Sequence, residues 1–129
     1  MITYDDFAKV EIRAGKILSA EKIPDTDKLL KLSVDFGEMK DLVDEAGNKT
    51  SVPAPRQIVS GISMYFLDPA VLVGKTCMFV TNLEPRMIKG YESNGMLFAL
   101  STSPTPENPS GNFSLLEPNN TIPVGTKAK

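Results

Sequence analysis

The sequence predicts an all-β domain that closes into a small five-stranded barrel. Its apolar residues fall mainly in short runs that alternate with polar residues, as half-buried strands do. A glycine interrupts the alternation in the first long run, and a small barrel needs such a bend to curl its sheet. A proline-led helical turn separates the third and fourth runs. Because 129 residues suffice for one core, we expect a single domain over 1–129.

The N-terminal part predicts a short helix followed by a bent strand. Thr3 is a suitable helix N-cap, and two aspartates follow in the first turn, where acids suit the helix dipole. We expect this helix to end at about Ala8. The strand covers Lys9–Lys22, and its alternation changes phase at Gly15, which predicts a bulge or a sharp bend at that residue.

Four further strands complete the predicted barrel. A short helix over Asp68–Leu72, capped by Asp68, lies between the third and fourth strands, and the stretch 101–129 forms a C-terminal extension with a short extra strand at Phe113–Leu116. This order of elements is the layout of an OB-fold. The second to fifth strands are predicted at Leu29–Phe36, Arg56–Ile62, Lys75–Leu83 and Met96–Thr102.

An acidic segment over 39–55 interrupts the barrel pattern between the second and third strands. The sequence Ala46-Gly47-Asn48 is a turn signal, and two prolines close the segment, so we expect an exposed acidic hairpin or loop. The whole chain carries a net charge of −2, whereas 35–49 alone carries −3. The remainder is therefore slightly basic, which is compatible with an anionic partner.

The composition excludes several classes of function. There is no histidine, which excludes Ser-His-Asp and Cys-His catalysis and ordinary zinc ligation. Cys77 is the only cysteine and lies in an apolar run, so we expect a buried thiol, with no disulfide, metal or cofactor. We expect no catalytic site of its own. No run is long enough to span a membrane and no signal peptide is visible, so the cytoplasm is the expected location.

The stretch Asn82–Met96, NLEPRMIKGYESNGM, is the most informative part of the chain. It combines two cations, Arg86 and Lys89, with a phenol at Tyr91 and short hydrogen-bonding side chains. Such a loop can neutralise phosphates, stack on a base and donate to base edges. From composition alone, an ordinary solvated hairpin loop remains the alternative.

Several segments together resemble the tRNA-binding domain found at the C-terminus of methionyl-tRNA synthetases and in free-standing tRNA-binding proteins. They are FAKVEIRAGKILSAEKIPDTDKLLKLSVDFG, RQIVSGI, LVGK and NLEPRMIKGYESNGM, spread over Phe7–Leu100. The resemblance implies an OB-fold that binds tRNA without reading an anticodon, as an auxiliary domain or subunit of a synthetase. It also implies a homodimer whose interface is built from Met1–Ala8 and the tail beyond Ser101.

The resemblance also implies which residues face the RNA. Gly90 and Gly95 correspond to positions that serve backbone geometry, and Met96 suits the core as well as it suits the RNA. The implied RNA-binding residues are Lys28, Lys31, Arg56, Ser60, Asn82, Arg86, Lys89, Ser93 and Met96.

Three departures from the family pattern concern affinity rather than fold. Met87 and Ile88 stand where relatives often carry another cation, residues 39–55 look inserted, and the net charge is acidic. The main alternative is a protein-interaction module of the same fold, as in a small export chaperone that resembles this family. That chaperone lacks the S-x-G-M ending and most of the N-L-x-P-R stretch, and this chain has both, which favours RNA.

Overall fold

The computed structural model describes all residues from Met1 to Lys129. Strands dominate, and the helices are short, as the sequence predicts. The elements are α1 Tyr4–Ala8, β1 Ile12–Lys22, β2 Leu30–Asp35, β3 Met39–Val43, β4 Lys49–Pro53, β5 Arg56–Ser60, 3-10 helices at Ser63–Tyr65 and Pro69–Leu72, β6 Thr76–Val80, β7 Arg86–Ile88, β8 Tyr91–Ser93, β9 Met96–Leu97, β10 Ala99–Ser101 and β11 Phe113–Leu115.

The central sheet is antiparallel, has the strand order β5-β2-β1-β6-β9, and nearly closes into a barrel. The gap between β5 and β9 is bridged by the last residue of β8 and the residue after it rather than by a regular ladder. The amide of Asn94 donates to the carbonyl of Gln57 at 2.8 Å, and the amide of Val59 donates to Ser93 Oγ at 3.0 Å. The predicted all-β, five-stranded barrel is confirmed.

The core fills the interior of this barrel. Leu30, Leu32 and Val34 on β2 are fully buried, and Phe36 is 3% exposed, as their alternation predicts. Phe36 packs edge-on against Phe79 of β6, with ring centroids 5.4 Å apart. Burial also holds the lone thiol of Cys77 inside, and this raises its pKa to about 11.

The sequence predicts the phase change of β1 and its bulge or bend at one residue, Gly15, whereas in the structure the phase change and the bulge lie at different residues. Ala14 and Gly15 are both buried, so the phase change is where it was predicted. The register with β2, however, shifts between Ile17 and Ser19, which makes Leu18 the bulged residue. Gly15 instead makes room for a ring, because a Cβ there would lie 2.5 Å from Cε1 of Phe36.

The short helices are capped as predicted. Thr3 Oγ1 accepts from the amide of Asp6 at 3.1 Å, and Asp6 Oδ2 accepts from the amide of Thr3 at 3.2 Å. The two bonds form a capping box. Asp68 caps the 3-10 helix Pro69–Leu72 and so helps to bury Leu72 in the core. The other 3-10 helix, Ser63–Tyr65, has no side-chain cap. This helix is not among the predicted elements.

The acidic segment forms an exposed antiparallel hairpin, here called the acidic hairpin, over Met39–Pro53. Asp44 Oδ1 accepts from the amides of Ala46 and Asn48 at 2.9 and 2.8 Å and holds the turn. These backbone donors, led by Asn48, lower the pKa of the Asp44 carboxyl. The expectation of a hairpin or loop is thus resolved as a hairpin.

The C-terminal extension returns to β1. The amide of Gly125 donates to the carbonyl of Ala14 at 2.7 Å, and the amide of Ala128 donates to that of Ile12 at 2.7 Å. These bonds occupy the part of β1 that β2 does not reach, because β2 pairs only from Lys16 onwards. The predicted extra strand, β11, pairs with β10. No helix has the length and apolarity needed to span a bilayer.

Candidate nucleic-acid interface

The loop predicted between the fourth and fifth barrel strands is itself a small hairpin, β7–β8, here called the cationic hairpin. Its two-residue turn is Lys89-Gly90, with φ values of +51° and +85°. Positive φ at both positions matches the type I′ turn that joins twisted strands. Glycine adopts this conformation freely, whereas Lys89 does so at some cost in backbone strain, and its side chain is exposed at the tip.

A cavity of about 420 Å³ lies where the cationic hairpin meets the barrel. Its size is within the range of small-ligand sites. Half of its lining is apolar, and one guanidinium and one carboxylate share it. The lining residues are Val59, Leu83, Glu84, Arg86, Ile88, Ser93, Gly95 and Met96.

Three of the predicted cations are available to a ligand. Lys28, Arg86 and Lys89 are exposed, and none of them forms an ion pair with an acid of the chain. Lys31 is more constrained: its ammonium lies 3.4 Å from a carboxylate oxygen of Glu21 and 5.4 Å from the ring centroid of Tyr91. Exposed cations without partners can neutralise phosphates without first breaking an internal ion pair.

The predicted RNA contact Arg56 is engaged inside the protein. Its Nε and Nη2 bind both oxygens of Glu38 at 2.7 and 2.8 Å, and its Nη1 donates to the carbonyls of Thr81 and Asn94 at 2.6 and 3.3 Å. Arg13 donates to the same Glu38 carboxylate at 3.3 Å. The bonds from Arg56, followed by those from Arg13, hold the pKa of Glu38 below its usual value, and Glu38 raises the pKa of Arg56.

The guanidinium of Arg56 contacts the chain on both sides of the cationic hairpin. Thr81 lies before the cationic hairpin and Asn94 directly after it, and the carbonyls of both accept hydrogen bonds from Arg56. Arg56 therefore fixes where the cationic hairpin leaves the barrel and where it returns. Its side chain is 24% exposed and sits over the ring of Phe36, 5.4 Å from its centroid.

Asn82 and Ser93 are also engaged internally. Asn82 Oδ1 accepts from the amide of Glu11 at 2.8 Å, and its Nδ2 donates to the carbonyl of Lys9 at 2.6 Å. Ser93 is 4% exposed; its hydroxyl accepts from Val59 and donates to the carbonyl of Gly95 at 3.1 Å. Both side chains thus hold backbone groups of the chain in place, and their role as RNA contacts stays a prediction.

The remaining predicted residues lie at the surface of the same region. Met96 is 45% exposed and forms part of the cavity wall, so its position favours ligand contact over the core. Ser60 is half-buried at the end of β5, paired in register with Leu30. Leu83 and Glu84 also line the cavity, although they are not among the predicted site residues. Both lie in Asn82–Met96, but only the folded hairpin shows which of its side chains face the barrel.

The antiparallel barrel carries an exposed cationic hairpin beside a half-apolar cavity, an arrangement that suits a small binding domain. No group of three or more cysteine or carboxylate side chains is placed to hold a metal ion. The family model described as "Putative tRNA binding domain" matches residues 12–127. The chain belongs to this tRNA-binding domain family.

Individual relatives agree with the family match. The chain is 44% identical over 128 residues to a methionine–tRNA ligase of Methanospirillum hungatei, covering 99% of this chain and 16% of that protein. The chain thus spans about a sixth of the length of that curated relative. Among solved structures, it is similar to a methionyl-tRNA-synthetase-related protein from Pyrococcus horikoshii, with a TM-score of 0.76, 33% identity and coverage of 100% and 98% of the two chains. It is also similar to a CsaA chaperone from Picrophilus torridus, with a TM-score of 0.73, 26% identity and full coverage of both.

Proposed function

We propose that this chain binds tRNA through the cationic hairpin and the adjoining outer face of β2 and β5. The observation that carries the proposal is the set of three exposed, unpaired cations, Lys28, Arg86 and Lys89. Of these, Arg86 lines the half-apolar cavity, and Lys89 lies at the tip of the cationic hairpin. Phosphates supply most of the affinity in such an interface, and they carry no sequence information. The binding is therefore largely independent of which tRNA is offered.

Within this interface the predicted residues divide into contacts and positioning residues. Lys28, Arg86 and Lys89 contact phosphates, while Met96 and the neighbouring Tyr91 offer surface to bases. Lys31 lies on the adjoining outer face, whereas Ser60, which is paired with the buried Leu30, lies on the opposite face at the end of β5. Arg56, Asn82 and Ser93 act through the backbone that they hold.

The domain acts as an auxiliary part of aminoacylation rather than as a catalyst. The methionine–tRNA ligase relative suggests a methionyl-tRNA synthetase as the partner, with this chain as one of its domains or as a separate subunit. The alternative is a free-standing tRNA-binding protein. In each case the fold is the OB-fold predicted from the sequence. Such a role places it in the cytoplasm, where tRNA is charged.

The test replaces one cation at a time. Arg86→Ala and Lys89→Ala should each weaken tRNA binding by a similar factor for every tRNA, because each removes one phosphate contact. Each lost contact should also flatten the log–log dependence of affinity on salt by about 0.7–0.9. A slope equal to that of the wild type in both variants would remove these residues from the interface.

A matched control uses a lysine that is already neutralised. The ammonium of Lys75 lies 3.2 Å from a carboxylate oxygen of Glu117, so Lys75→Ala removes the same charge without removing an available cation. Its salt slope should equal that of the wild type. Circular dichroism of all three variants checks that the barrel is retained.

We further propose a homodimer that uses the two chain termini. Tyr4, Phe7 and Val10 leave 78%, 39% and 40% of their surface exposed, and with Lys127–Lys129 they line a cavity of about 220 Å³. A paired copy would cover these apolar side chains. Analytical ultracentrifugation at tens of micromolar should give a dimer, and a clean monomer would exclude self-association through this face.

The second candidate function is a protein-interaction module. The similarity to a CsaA chaperone and the apolar part of the cavity favour it. The two functions differ in their response to salt, because phosphate binding weakens with salt, whereas binding of an apolar peptide does not depend on released counterions. Filter binding of bulk tRNA at two salt concentrations therefore separates them.

A further inference from the structure

The cavity beside the cationic hairpin holds two opposite charges that the protein itself leaves unpaired. Glu84 and Arg86 line it from either side of Pro85, and neither forms an ion pair or a side-chain hydrogen bond within the chain. Both side chains are exposed, so each is solvated when the cavity is empty. The arrangement suits a ligand that brings an anionic group and hydrogen-bond donors at the same time.

A bare phosphate does not meet this description. Arg86 attracts it, but Glu84, two residues away in the same cavity, repels it. A single nucleotide matches better, because its phosphate can pair with Arg86 while the flat base packs on the apolar walls formed by Val59, Ile88 and Met96. The edge of that base then faces a carboxylate, which accepts hydrogen bonds and cannot donate them.

The carboxylate discriminates among the four bases. Guanine carries two adjacent donors on its Watson–Crick edge, N1–H and the N2 amino group, which match the two oxygens of a carboxylate. Cytosine and adenine offer one amino group each. Uracil offers a single N–H between two carbonyl oxygens, and these would be repelled. In a helix, N1–H and one N2–H of guanine are already bonded to cytosine, so only an unpaired guanine presents both donors side by side.

We propose that Glu84 is a specificity-determining residue that makes this cavity select an unpaired guanine of the bound RNA. The inference rests on the proposed function, since it concerns the same site, and adds a modest base preference to otherwise sequence-independent phosphate binding. Arg86 holds the phosphate of that nucleotide, and the hydroxyl of Ser93, engaged with Val59 and Gly95, takes no part in reading the base.

The test measures binding of short single-stranded RNA probes by fluorescence anisotropy. One labelled probe is oligouridine, and a second carries a single central guanine. The wild type should bind the guanine probe about fivefold more tightly, the lower end of what a two-bond side-chain contact to a base discriminates. In Glu84→Gln the ratio of the two affinities should fall towards one, while the uridine probe binds no worse than before.

A matched control removes the same charge outside the cavity. Glu92 lies on β8, is exposed and does not line the cavity. Its backbone carbonyl, which accepts from Gln57, is unchanged in Glu92→Gln. This variant should strengthen binding of both probes alike and keep the wild-type ratio.

The outcomes separate this inference from the proposed function. Equal binding of both probes by the wild type, or an unchanged ratio in Glu84→Gln, would overturn the inference. Binding of tRNA without binding of either probe would also overturn it and leave the proposed function standing. If a lysine-containing apolar peptide bound in the cavity, but neither probe and no tRNA did, both the inference and the proposed function would fall and the protein-interaction module would stand.

Discussion

Replacing Glu38 with glutamine tests the internal network beneath the cationic hairpin. The Glu38 carboxylate receives three hydrogen bonds from two arginines, Arg56 at 2.7 and 2.8 Å and Arg13 at 3.3 Å. Glutamine keeps the shape and one acceptor, but it removes the charge and turns an amide donor towards a guanidinium. Arg56 would then lose the partner that aims its Nη1 at Thr81 and Asn94.

The expected loss in the free energy of unfolding is about 2 kcal/mol at neutral pH. Hydrogen bonds between charged groups are worth more than neutral ones, but Glu38 is 33% exposed and Arg56 is 24% exposed, so water compensates part of the loss. The arginine donors of a partly buried pair cannot be fully rehydrated, which keeps the effect above that of an ordinary surface pair.

The destabilisation should depend on pH in a defined direction. The pKa of Glu38 is lower in the folded chain than its usual value of 4.5, so folding favours the ionised carboxylate. Its contribution is complete above that value and is lost as the pH falls through the lowered, folded pKa. The difference in stability between wild type and Glu38→Gln should therefore be largest at neutral pH and shrink on acidification. Glu11, whose pKa is lowered chiefly by a hydrogen bond from Thr81, titrates in both proteins and cancels.

Urea unfolding at pH 7 and at several values down to pH 3 measures this difference. Glu45→Gln is the matched control, because Glu45 lies exposed in the turn of the acidic hairpin and forms no ion pair. It should change stability by less than about 0.5 kcal/mol. If Glu38→Gln behaves like this control at pH 7, or if its deficit persists undiminished at pH 3, the network does not stabilise the fold as described.

Two further substitutions test the barrel and its attachment. Gly15→Ala should destabilise the fold by about 1–3 kcal/mol in thermal unfolding, because the new Cβ would lie 2.5 Å from the ring of Phe36. In the control Gly61→Ala the new Cβ meets nothing within 4 Å, so stability should be unchanged. Equal effects of the two substitutions would refute the close packing at Gly15. Removal of residues 39–54 should leave the barrel folded, since the amide of Ala54 already donates to the carbonyl of Glu38 at 2.9 Å and the cut ends lie together. The tRNA affinity of that deletion variant should rise by no more than about twofold, and a severalfold fall at unchanged stability would show that the acidic hairpin contributes contacts.

The features that the sequence predicts correctly are those set by near neighbours. The alternation of Leu30, Leu32 and Val34 specifies one buried face, and Thr3 with Asp6 specifies a helix start, because each pattern lies within a few residues. By contrast, the sequence predicts a bulge or a sharp bend at Gly15, whereas the register shift between β1 and β2 lies at Leu18. Bulge position depends on how β1 meets β2, which no local pattern records.

The candidate site shows the same division. Arg86 and Lys89 carry exposed charges because they lie in a polar hairpin, and composition alone suggests that. Arg56 also has the sequence pattern of a surface cation, yet its partner Glu38 lies 18 residues away, directly before the segment 39–55 that looks inserted. Asn82 and Ser93 likewise bind backbone groups 73 and 34 residues distant, so their scaffold roles emerge only from the closed barrel.

The attachment of the cationic hairpin has a consequence for engineering. The carbonyls on either side of the cationic hairpin, at Thr81 and Asn94, both accept hydrogen bonds from the guanidinium of Arg56, which belongs to β5. The side chains of residues 83–92, which include the exposed Met87 and Lys89, form no hydrogen bond of this anchor, whereas Asn82 and Ser93 at its two ends do bind the backbone. Residues 83–92 can therefore be exchanged for randomised sequences, with Asn82, Ser93 and Arg56 kept, to select binders for new ligands.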